Sequence, residues 1–156
     1  MEIVWIIAII AIVIFILSNL KYRQYRRTVS YKGRLLSNVN RVRRRYGLQP
    51  LGRVKFLDYV AAKHARSMAK RRTCDHWGFS GRAKVIQEKM GLGYVAENCY
   101  KFPGTRYTRH KAHGMLKGWM KSPGHRANIV NPQMRRTGIG IRVSRGYIYA
   151  VQIFTN

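Results

Sequence analysis

The sequence predicts an α+β domain that is preceded by one apolar segment, and three observations lead to this prediction. Residues Ile3 to Leu17 are apolar without interruption. The middle of the chain carries apolar residues at helical spacing, and the end is rich in β-branched and aromatic residues. Helices that precede strands are typical of α+β domains rather than of alternating β-α-β units. The 156 residues suffice for one domain with an appendage.

The N-terminal apolar segment predicts one transmembrane helix over residues 1–20. A helix of about 15 to 18 residues is roughly 23 to 27 Å long, just short of a hydrocarbon core of about 30 Å. The basic side chains that follow, such as Lys21 and Arg23, can reach the head groups and cover the difference. A cleaved signal peptide would need basic residues before the apolar run and a small-x-small site after it. Glu2 precedes this run and no such site follows, so we expect an uncleaved anchor.

A basic, polar link over residues 21–30 is expected to join the anchor to a domain over residues 31–156. Apolar positions at helical spacing, with Gly or Pro at their ends, predict the helices of this domain. Two strands joined at Ser144-Arg145-Gly146 suit a short hairpin loop with a left-handed glycine. The predicted helices are 31–46, 54–70, 82–90 and 108–121, with a short one after Gly124, and the predicted strands are 94–100, 138–143 and 147–154.

The charge of the chain predicts an anionic partner. It has 31 Lys and Arg residues against 5 Asp and Glu residues, for a net charge of +26. Few internal ion pairs are possible, and the folded domain repels itself. Anionic lipid head groups, an envelope polymer or a nucleic acid would relieve this repulsion. No RNA-binding fingerprint occurs, so nucleic acid is the least favoured of the three. Adaptation for solubility is the alternative explanation.

A set of short motifs occurs in a fixed order along the domain. They are AKHARSM at 62–68, HWGF at 76–79, AEN at 96–98, WMKSPGHRANI at 119–129, NP at 131–132, GIG at 138–140 and YAVQIF at 149–154. In order and spacing this set resembles the CAP superfamily of cysteine-rich secretory, antigen 5 and pathogenesis-related proteins, and most of all its microbial SCP-domain branch with few cysteines. The resemblance covers Leu35 to Phe154. It implies a three-layer α-β-α sandwich around a mainly antiparallel sheet.

The resemblance also implies a cleft lined by His76, Glu97 and His125. At the fourth family position, three residues after Trp119, animal members carry Glu, whereas this chain has Ser122. Two imidazoles and a carboxylate suit a divalent metal ion, with Zn²⁺ as the first expectation. Surrounding cations should keep Glu97 ionised. The alternative is a structural network in which Glu97 only hydrogen-bonds the two histidines.

Three functions remain open at this point. The favoured one is a membrane-anchored binding module, whose cleft takes a metal or a small ligand, including a lipid of the kind that some relatives bind. The second is a protease- or esterase-like hydrolase in which His125 and Glu97 activate Ser122 or a water molecule. No Gly-x-Ser-x-Gly elbow occurs, and Ser122 better suits a helix cap, so an enzyme is less expected. The third is a structural adaptor with an inert cleft.

The two cysteines exclude a disulfide-rich scaffold. If His76 and Glu97 meet in the cleft, Cys74 and Cys99 should be neighbours, because each lies two residues from one of them. A bridge would stabilise the fold by roughly 3 kcal/mol and indicate an oxidising compartment. Two buried thiols are the alternative.

His64 is expected to be a core histidine with a satisfied hydrogen bond.

The side of the membrane on which the domain lies is left open by the sequence. Basic residues follow the apolar segment, and the positive-inside rule would therefore place the domain in the cytoplasm. The family resemblance implies an extracytoplasmic domain instead.

Two tryptophans are expected to pack in the core. Trp77 lies next to the implied cleft, and Trp119 lies on the fourth predicted helix.

Overall fold

The computed structural model describes residues 2–91, 93–105 and 108–156. It divides into two compact units, Met1–Ser30 and Tyr31–Asn156. The first helix, α1, runs from Glu2 to Arg45. Residues 21–30, which were expected to form a link, are therefore helical. The reason is local, since this segment contains no Gly or Pro and is rich in Lys, Arg and Gln, which favour helices.

The first unit contains one helical stretch that is long and apolar enough to cross a membrane. It covers Trp5–Arg23, has a mean hydropathy of 2.2, and none of it is buried in protein. An N-terminal signal sequence has the same length and composition. The anchor and its uncleaved state therefore stay predictions.

The second unit is a four-stranded sheet with helices on both faces. The sheet order is β1-β3-β4-β2, with β1 parallel to β3 and the other pairs antiparallel. After α1, the elements are β1 (Gly52–Arg53), α2 (Lys55–Arg71), α3 (Phe79–Met90), β2 (Val95–Pro103), α4 (Arg109–Lys121), α5 (Pro123–Ile129), β3 (Arg136–Ser144) and β4 (Tyr147–Thr155).

Alternation along β4 separates two apolar cores, because successive side chains of a strand point to opposite faces. Tyr149, Val151 and Ile153 pack with residues of α2 and with Ile86 of α3. On the other face, the core contains β4 residues together with residues of α1, α4 and α5, namely Ile148, Ala150, Phe154, Leu35, Val39, Ala112, Met115, Trp119 and Ile129. The expected α-β-α sandwich is thus confirmed, and so is the core position of Trp119.

Helix α2 lies directly on β3 because two glycines leave room for it. A Cβ atom at Gly138 would overlap the backbone of Leu57, and one at Gly140 would overlap the backbone of Ala61. Asp58 fixes this contact, since its Oδ1 accepts a 2.7 Å hydrogen bond from the backbone N–H of Ile139. The Gly-x-Gly spacing of the sequence therefore serves close helix–sheet packing.

A fully buried arginine of α1 holds the segment that follows α5. The Arg43 side chain is completely inaccessible to solvent. Its guanidinium donates four hydrogen bonds of 2.8 to 2.9 Å to backbone carbonyls, those of Gln49, Ile129, Asn131 and Met134. A buried cation needs this many partners, because an unpaired one would carry a large desolvation cost. The apolar spacing of α1 did not reveal this residue.

Other differences from the predicted elements have local causes. Helix α3 begins at Phe79 rather than Arg82, because Gly78 takes a left-handed conformation at the N-cap. Strand β1 was not predicted, since it has only two residues. The β3–β4 turn has the expected left-handed Gly146, but Arg145 is left-handed as well. Trp77 was expected in the core and is 70% exposed, because it lies in the turn before α3 with the Arg71 guanidinium over its ring.

We expect Gly140→Ala to destabilise the domain by about 1–3 kcal/mol or more, because the methyl group must displace the backbone of α2. Gly114→Ala is the matched control, since nothing lies within 4 Å of its Cβ position on α4. Alanine should stabilise that helix by roughly 0.5–1 kcal/mol. Urea unfolding followed by circular dichroism measures both changes. Equal midpoints for the two variants would contradict the close packing.

Candidate functional site

The site is organised around the buried carboxylate of Glu97, whose side chain is 1% exposed. Its Oε1 accepts hydrogen bonds from His76 Nδ1 at 2.9 Å and from Arg82 Nη2 at 2.8 Å. Its Oε2 accepts a further bond from Arg82 Nε at 3.0 Å. The Cys99 thiol donates to Oε1 at 3.5 Å. A bidentate arginine pair with added hydrogen bonds is the arrangement in which a buried carboxylate is well satisfied.

Local structure explains why these side chains converge. Glu97 and Cys99 lie two residues apart on β2, so they share the sheet face that is covered by α2 and α3. Arg82 is in the first turn of α3, where its Nη1 also donates to the Trp77 carbonyl at 2.8 Å. His76 lies in the turn before α3, and its carbonyl accepts the Phe79 N–H at 2.9 Å.

His64 of α2 completes the buried side of the cluster. Its Nε2 lies 2.8 Å from the Asp75 carbonyl oxygen and 3.7 Å from Glu97 Oε1. A carbonyl oxygen only accepts, so His64 Nε2 carries the hydrogen. The prediction of a core histidine with a satisfied hydrogen bond is confirmed. Its closeness to Glu97 was missed, because only the fold brings α2 over β2.

The protonation states follow from burial and from these hydrogen bonds. Burial alone would raise the pKa of Glu97, but hydrogen bonds from His76 and Arg82 outweigh it, and the pKa is lowered. Burial, joined by the charge of Glu97, raises the pKa of the Cys99 thiol far above its usual range. Burial lowers the pKa of His64. At neutral pH the cluster therefore contains an ionised carboxylate, a protonated thiol and a neutral imidazole.

His125 lies on α5 and approaches the cluster from the other helical layer. Its ring centroid is 6.1 Å from that of His76, with the planes tilted by 51°. Asn98 Nδ2 donates to the His125 carbonyl at 2.9 Å, and Asn128 Nδ2 donates to Asn98 Oδ1 at 2.9 Å. Burial, and then the charge of His76, lowers the pKa of His125. Asn98 and Asn128 both lie within the family motifs of the sequence. They are the residues from which the position of His125 could have been predicted.

Ser122 stands at the N-cap position of α5, but its side chain makes no capping hydrogen bond. Within the part of the chain that the structure describes, no hydrogen bond joins Ser122 to His125. The structure therefore unites His76 with Glu97, brings His125 next to His76, and leaves Ser122 without a hydrogen bond to either histidine.

The expected disulfide between Cys74 and Cys99 is not formed. Both cysteines are free, and Cys74 is exposed whereas Cys99 is buried. The Cys99 sulfur belongs to the cluster, at 3.5 Å from Glu97 Oε1 and 3.7 Å from His76 Nδ1. Cys74 lies in the exposed turn after α2. The alternative prediction, two buried thiols, is correct for Cys99 and wrong for Cys74, which is exposed.

One buried group has the spacing of a metal site. The ligand atoms of His64, Glu97 and Cys99 all lie within 4.8 Å of one another, so this group could hold a metal ion. Each of these atoms also has a partner in the protein. His64 Nε2 donates to a carbonyl, Glu97 accepts from Arg82, and the Cys99 thiol is protonated. Metal binding here would have to replace these interactions.

Comparisons with known proteins identify the family of the chain. The family model described as "CAP: Cysteine-rich secretory protein family" matches residues 36–154. The chain belongs to the CAP family. The Bacillus subtilis protein YkwD, itself uncharacterized, is 29% identical to this CAP chain over 126 residues. That match covers 79% of the chain and 46% of YkwD, so the chain spans about half the length of this relative.

Several solved structures share the fold of this chain. An outer surface protein of Borrelia burgdorferi has a TM-score of 0.66 at 18% identity, covering 78% of this chain and 89% of that one. An extracellular SCP-domain protein of Bacillus anthracis has a TM-score of 0.64 at 23% identity, covering 81% and 40%. A crystal structure of NaASP2 with Zn²⁺ has a TM-score of 0.50 at 13% identity, covering 69% and 60%.

Acidification should destabilise the domain in two steps. The pKa of His64 and of His125 is lowered in the folded state, so the unfolded chain binds protons first, and stability falls as the pH drops below about 6.5. The pKa of Glu97 is also lowered, so its contribution is present above about pH 4.3 and is lost as the pH falls further.

His64→Gln tests the first step, because its amide can still donate to the Asp75 carbonyl but does not titrate. We expect a smaller loss of unfolding free energy between pH 7 and pH 5 than in the wild type, measured by urea unfolding at each pH. His113→Gln changes an exposed histidine of α4 and should keep the wild-type slope. A wild-type slope in His64→Gln would contradict this assignment.

Proposed function

We propose that the chain is a membrane-anchored CAP-domain binding module whose cleft holds a divalent metal ion, zinc by preference, at His76 and His125. The 2.9 Å hydrogen bond between His76 Nδ1 and Glu97 Oε1 carries this proposal. It occupies one ring nitrogen and leaves Nε2 of His76 for a ligand. The His76 side chain is 49% exposed, so a ligand can reach it.

Glu97 has a supporting part in this arrangement rather than the ligand role expected for it. Both of its oxygens accept hydrogen bonds from Arg82, so a metal ion at Glu97 would have to compete with a bidentate ion pair. A carboxylate that accepts from one nitrogen of a ligating histidine fixes the tautomer and orientation of the ring and makes the other nitrogen a better ligand. Glu97 is buried and ionised, which suits this positioning role.

His125 supplies the second imidazole. Its lowered pKa keeps it neutral, which is the form that binds metal ions. Metal–nitrogen distances of about 2.0–2.1 Å are compatible with two rings whose centroids are 6.1 Å apart. Zinc held by two histidines keeps positions open for water or a ligand atom, and it would supply Lewis acidity there. The zinc in the NaASP2 crystal structure supports the choice of metal.

A cavity between α2 and α3 supports binding of a small, partly apolar ligand next to this site. It has a volume of about 350 Å³. Aromatic and aliphatic side chains form much of its wall, and His64 and Arg82 connect it to the cluster around Glu97, the lining including Phe56, Tyr59, Val60, Trp77 and Val85. Such walls suit an acyl chain or ring of a lipid-like molecule.

Binding is favoured over hydrolysis by a side-chain nucleophile, because no activated serine or cysteine faces the histidines among the described residues. Cys99 contacts His76, but burial raises the pKa of its thiol, and a protonated thiol is a poor nucleophile. Ser122 makes no hydrogen bond with either histidine in the described part of the chain. The basic domain and the apolar segment Trp5–Arg23 support a site of action beside an anionic membrane or envelope polymer. The surface and extracellular origins stated for the Borrelia and Bacillus anthracis relatives support an extracytoplasmic domain.

Zinc titration of the full chain in neutral detergent, followed by calorimetry, tests the cleft. We expect His125→Ala to weaken zinc binding at least tenfold, because it removes a ligand, and Glu97→Gln to weaken it by about 10–100-fold through loss of His76 positioning. His113→Ala is the control, since it removes an exposed histidine on α4. An unchanged isotherm in His125→Ala would remove the proposed site.

Labelling of the exposed Cys74 thiol in intact cells tests the anchor and the side of the membrane together. Cys99 is buried, so a membrane-impermeant maleimide should label Cys74 alone, and Cys74→Ser should abolish the signal. We expect labelled chain that stays in the membrane fraction after a carbonate wash. Release by carbonate would contradict the anchor, and labelling only after permeabilisation would place the domain in the cytoplasm.

A further inference from the structure

We propose that Arg72, Lys101 and Arg145 form a binding site for a phosphate group, above the rings of Tyr147 and Tyr149. These five residues line a cavity of about 340 Å³. This proposal rests on the part of the proposed function that gives the domain an anionic partner, and it names the residues that would bind that partner. It is independent of the metal cleft. The ligand class is a phosphomonoester or phosphodiester.

The cavity draws on three separate segments of the fold. Arg72 is the C-cap residue of α2, Lys101 is near the end of β2, and Arg145 is in the turn between β3 and β4. Lys101 is paired with Tyr149 in the sheet. It lies four residues beyond Glu97 on the same face of β2, which corresponds to roughly 13 Å along the strand. The site is thus separate from the histidine cleft.

The ammonium group of Lys101 is held in place before any ligand arrives. Its Nζ donates to the Arg72 carbonyl at 2.8 Å and lies 4.6 Å from the ring centroid of Tyr147 and 5.6 Å from that of Tyr149. Contacts of this kind orient a flexible lysine, so less side-chain freedom is lost when an anion binds. Two donors of the ammonium remain for a ligand.

The backbone at both arginines gives an independent reason to assign a function here. Arg72 has φ 61° and Arg145 has φ 49°, and they are the two non-glycine residues with positive φ in the described part of the chain. Left-handed positions at a helix end and in a hairpin turn favour Gly or Asn. Two strained arginines that line the same cavity indicate a local functional constraint.

No internal counter-ion neutralises these cations within the described residues. The ion pairs found there involve other basic groups and none of these three. The acid nearest in sequence to Arg72, Asp75, is held by Arg71 through hydrogen bonds of 2.7 and 3.0 Å. Two arginines and one lysine therefore line one cavity, and none of them is paired with a carboxylate that the structure describes. Phosphate suits them, because it presents several charged oxygens to the arginine forks and to the lysine.

Calorimetric titration of the full chain with inorganic pyrophosphate, in neutral detergent micelles, tests this site. We expect Arg72→Asn/Arg145→Asn to weaken binding at least tenfold, because two charge-assisted contacts are lost. The matched control is Arg44→Gln/Arg66→Gln, which removes the same charge from exposed positions of α1 and α2. It should weaken binding less than threefold.

The test variant is expected to fold, because Asn accepts a left-handed backbone more readily than Arg. Its thermal midpoint should equal or exceed that of the wild type, and its zinc isotherm should be unchanged, so a failure here is distinguishable from failure of the metal cleft. Lys101→Met should weaken pyrophosphate binding as well. Equal losses in the test and control variants, or no binding by the wild type, would overturn the proposal.

The same titration in nanodiscs distinguishes two sources of the phosphate group. If the site takes a lipid head group, phosphatidylglycerol nanodiscs should weaken pyrophosphate binding relative to phosphatidylcholine nanodiscs, and the test variant should abolish this difference. If the site takes a soluble phosphate ester, the two isotherms should coincide in the wild type. Either result supports the site, whereas a lipid effect that persists in the test variant would overturn it.

Discussion

The bidentate contact between Arg82 and the buried carboxylate of Glu97 is the interaction on which the site depends. A single carboxylate inside the domain is tolerable only when it is paired and fully hydrogen-bonded, and Arg82 and His76 meet that requirement. In doing so they join β2, the turn before α3 and α3 itself. His64 adds α2 on the buried side. The polar interior thus fixes the orientation of the ring that faces solvent.

Much of the fold followed from local sequence. Apolar spacing located α2 and α4, and the β-branched C-terminus located β3 and β4 with their glycine turn. The remaining features depend on contacts between distant segments. Arg43 lies on a helix with a clear apolar face, and nothing local shows that its guanidinium enters the interior to meet carbonyls more than 80 residues away. Trp77 was wrongly predicted to pack in the core, because it lies in a turn, where helical periodicity does not indicate which side chains are buried.

For the site, the motifs located His76, Glu97 and His125, but spacing alone could not assign their tasks. The carboxylate of Glu97 is paired with Arg82 of α3, which belongs to no recognised motif, so the motifs could not reveal this ion pair. His64 belongs to a motif, yet its distance to Glu97 depends on how α2 crosses the sheet at the two glycines of β3. The sequence positions of the two cysteines likewise could not show that both are free, with Cys74 exposed after α2 and Cys99 buried on β2.

The scarcity of acidic groups has a consequence for selectivity. Asp58 is paired with Arg53, Asp75 with Arg71 and Glu97 with Arg82, while Glu88 lies 3.9 Å from Lys84. Every carboxylate side chain that the structure describes in Tyr31–Asn156 is thus already engaged with a cation of its own. Among these four, Glu88 is the one largely exposed carboxylate, at 63%, so a cationic peptide, polyamine or basic protein would meet net repulsion on approach. Because the few carboxylates of this unit are used in its own ion pairs, the surface disfavours cationic partners as a class.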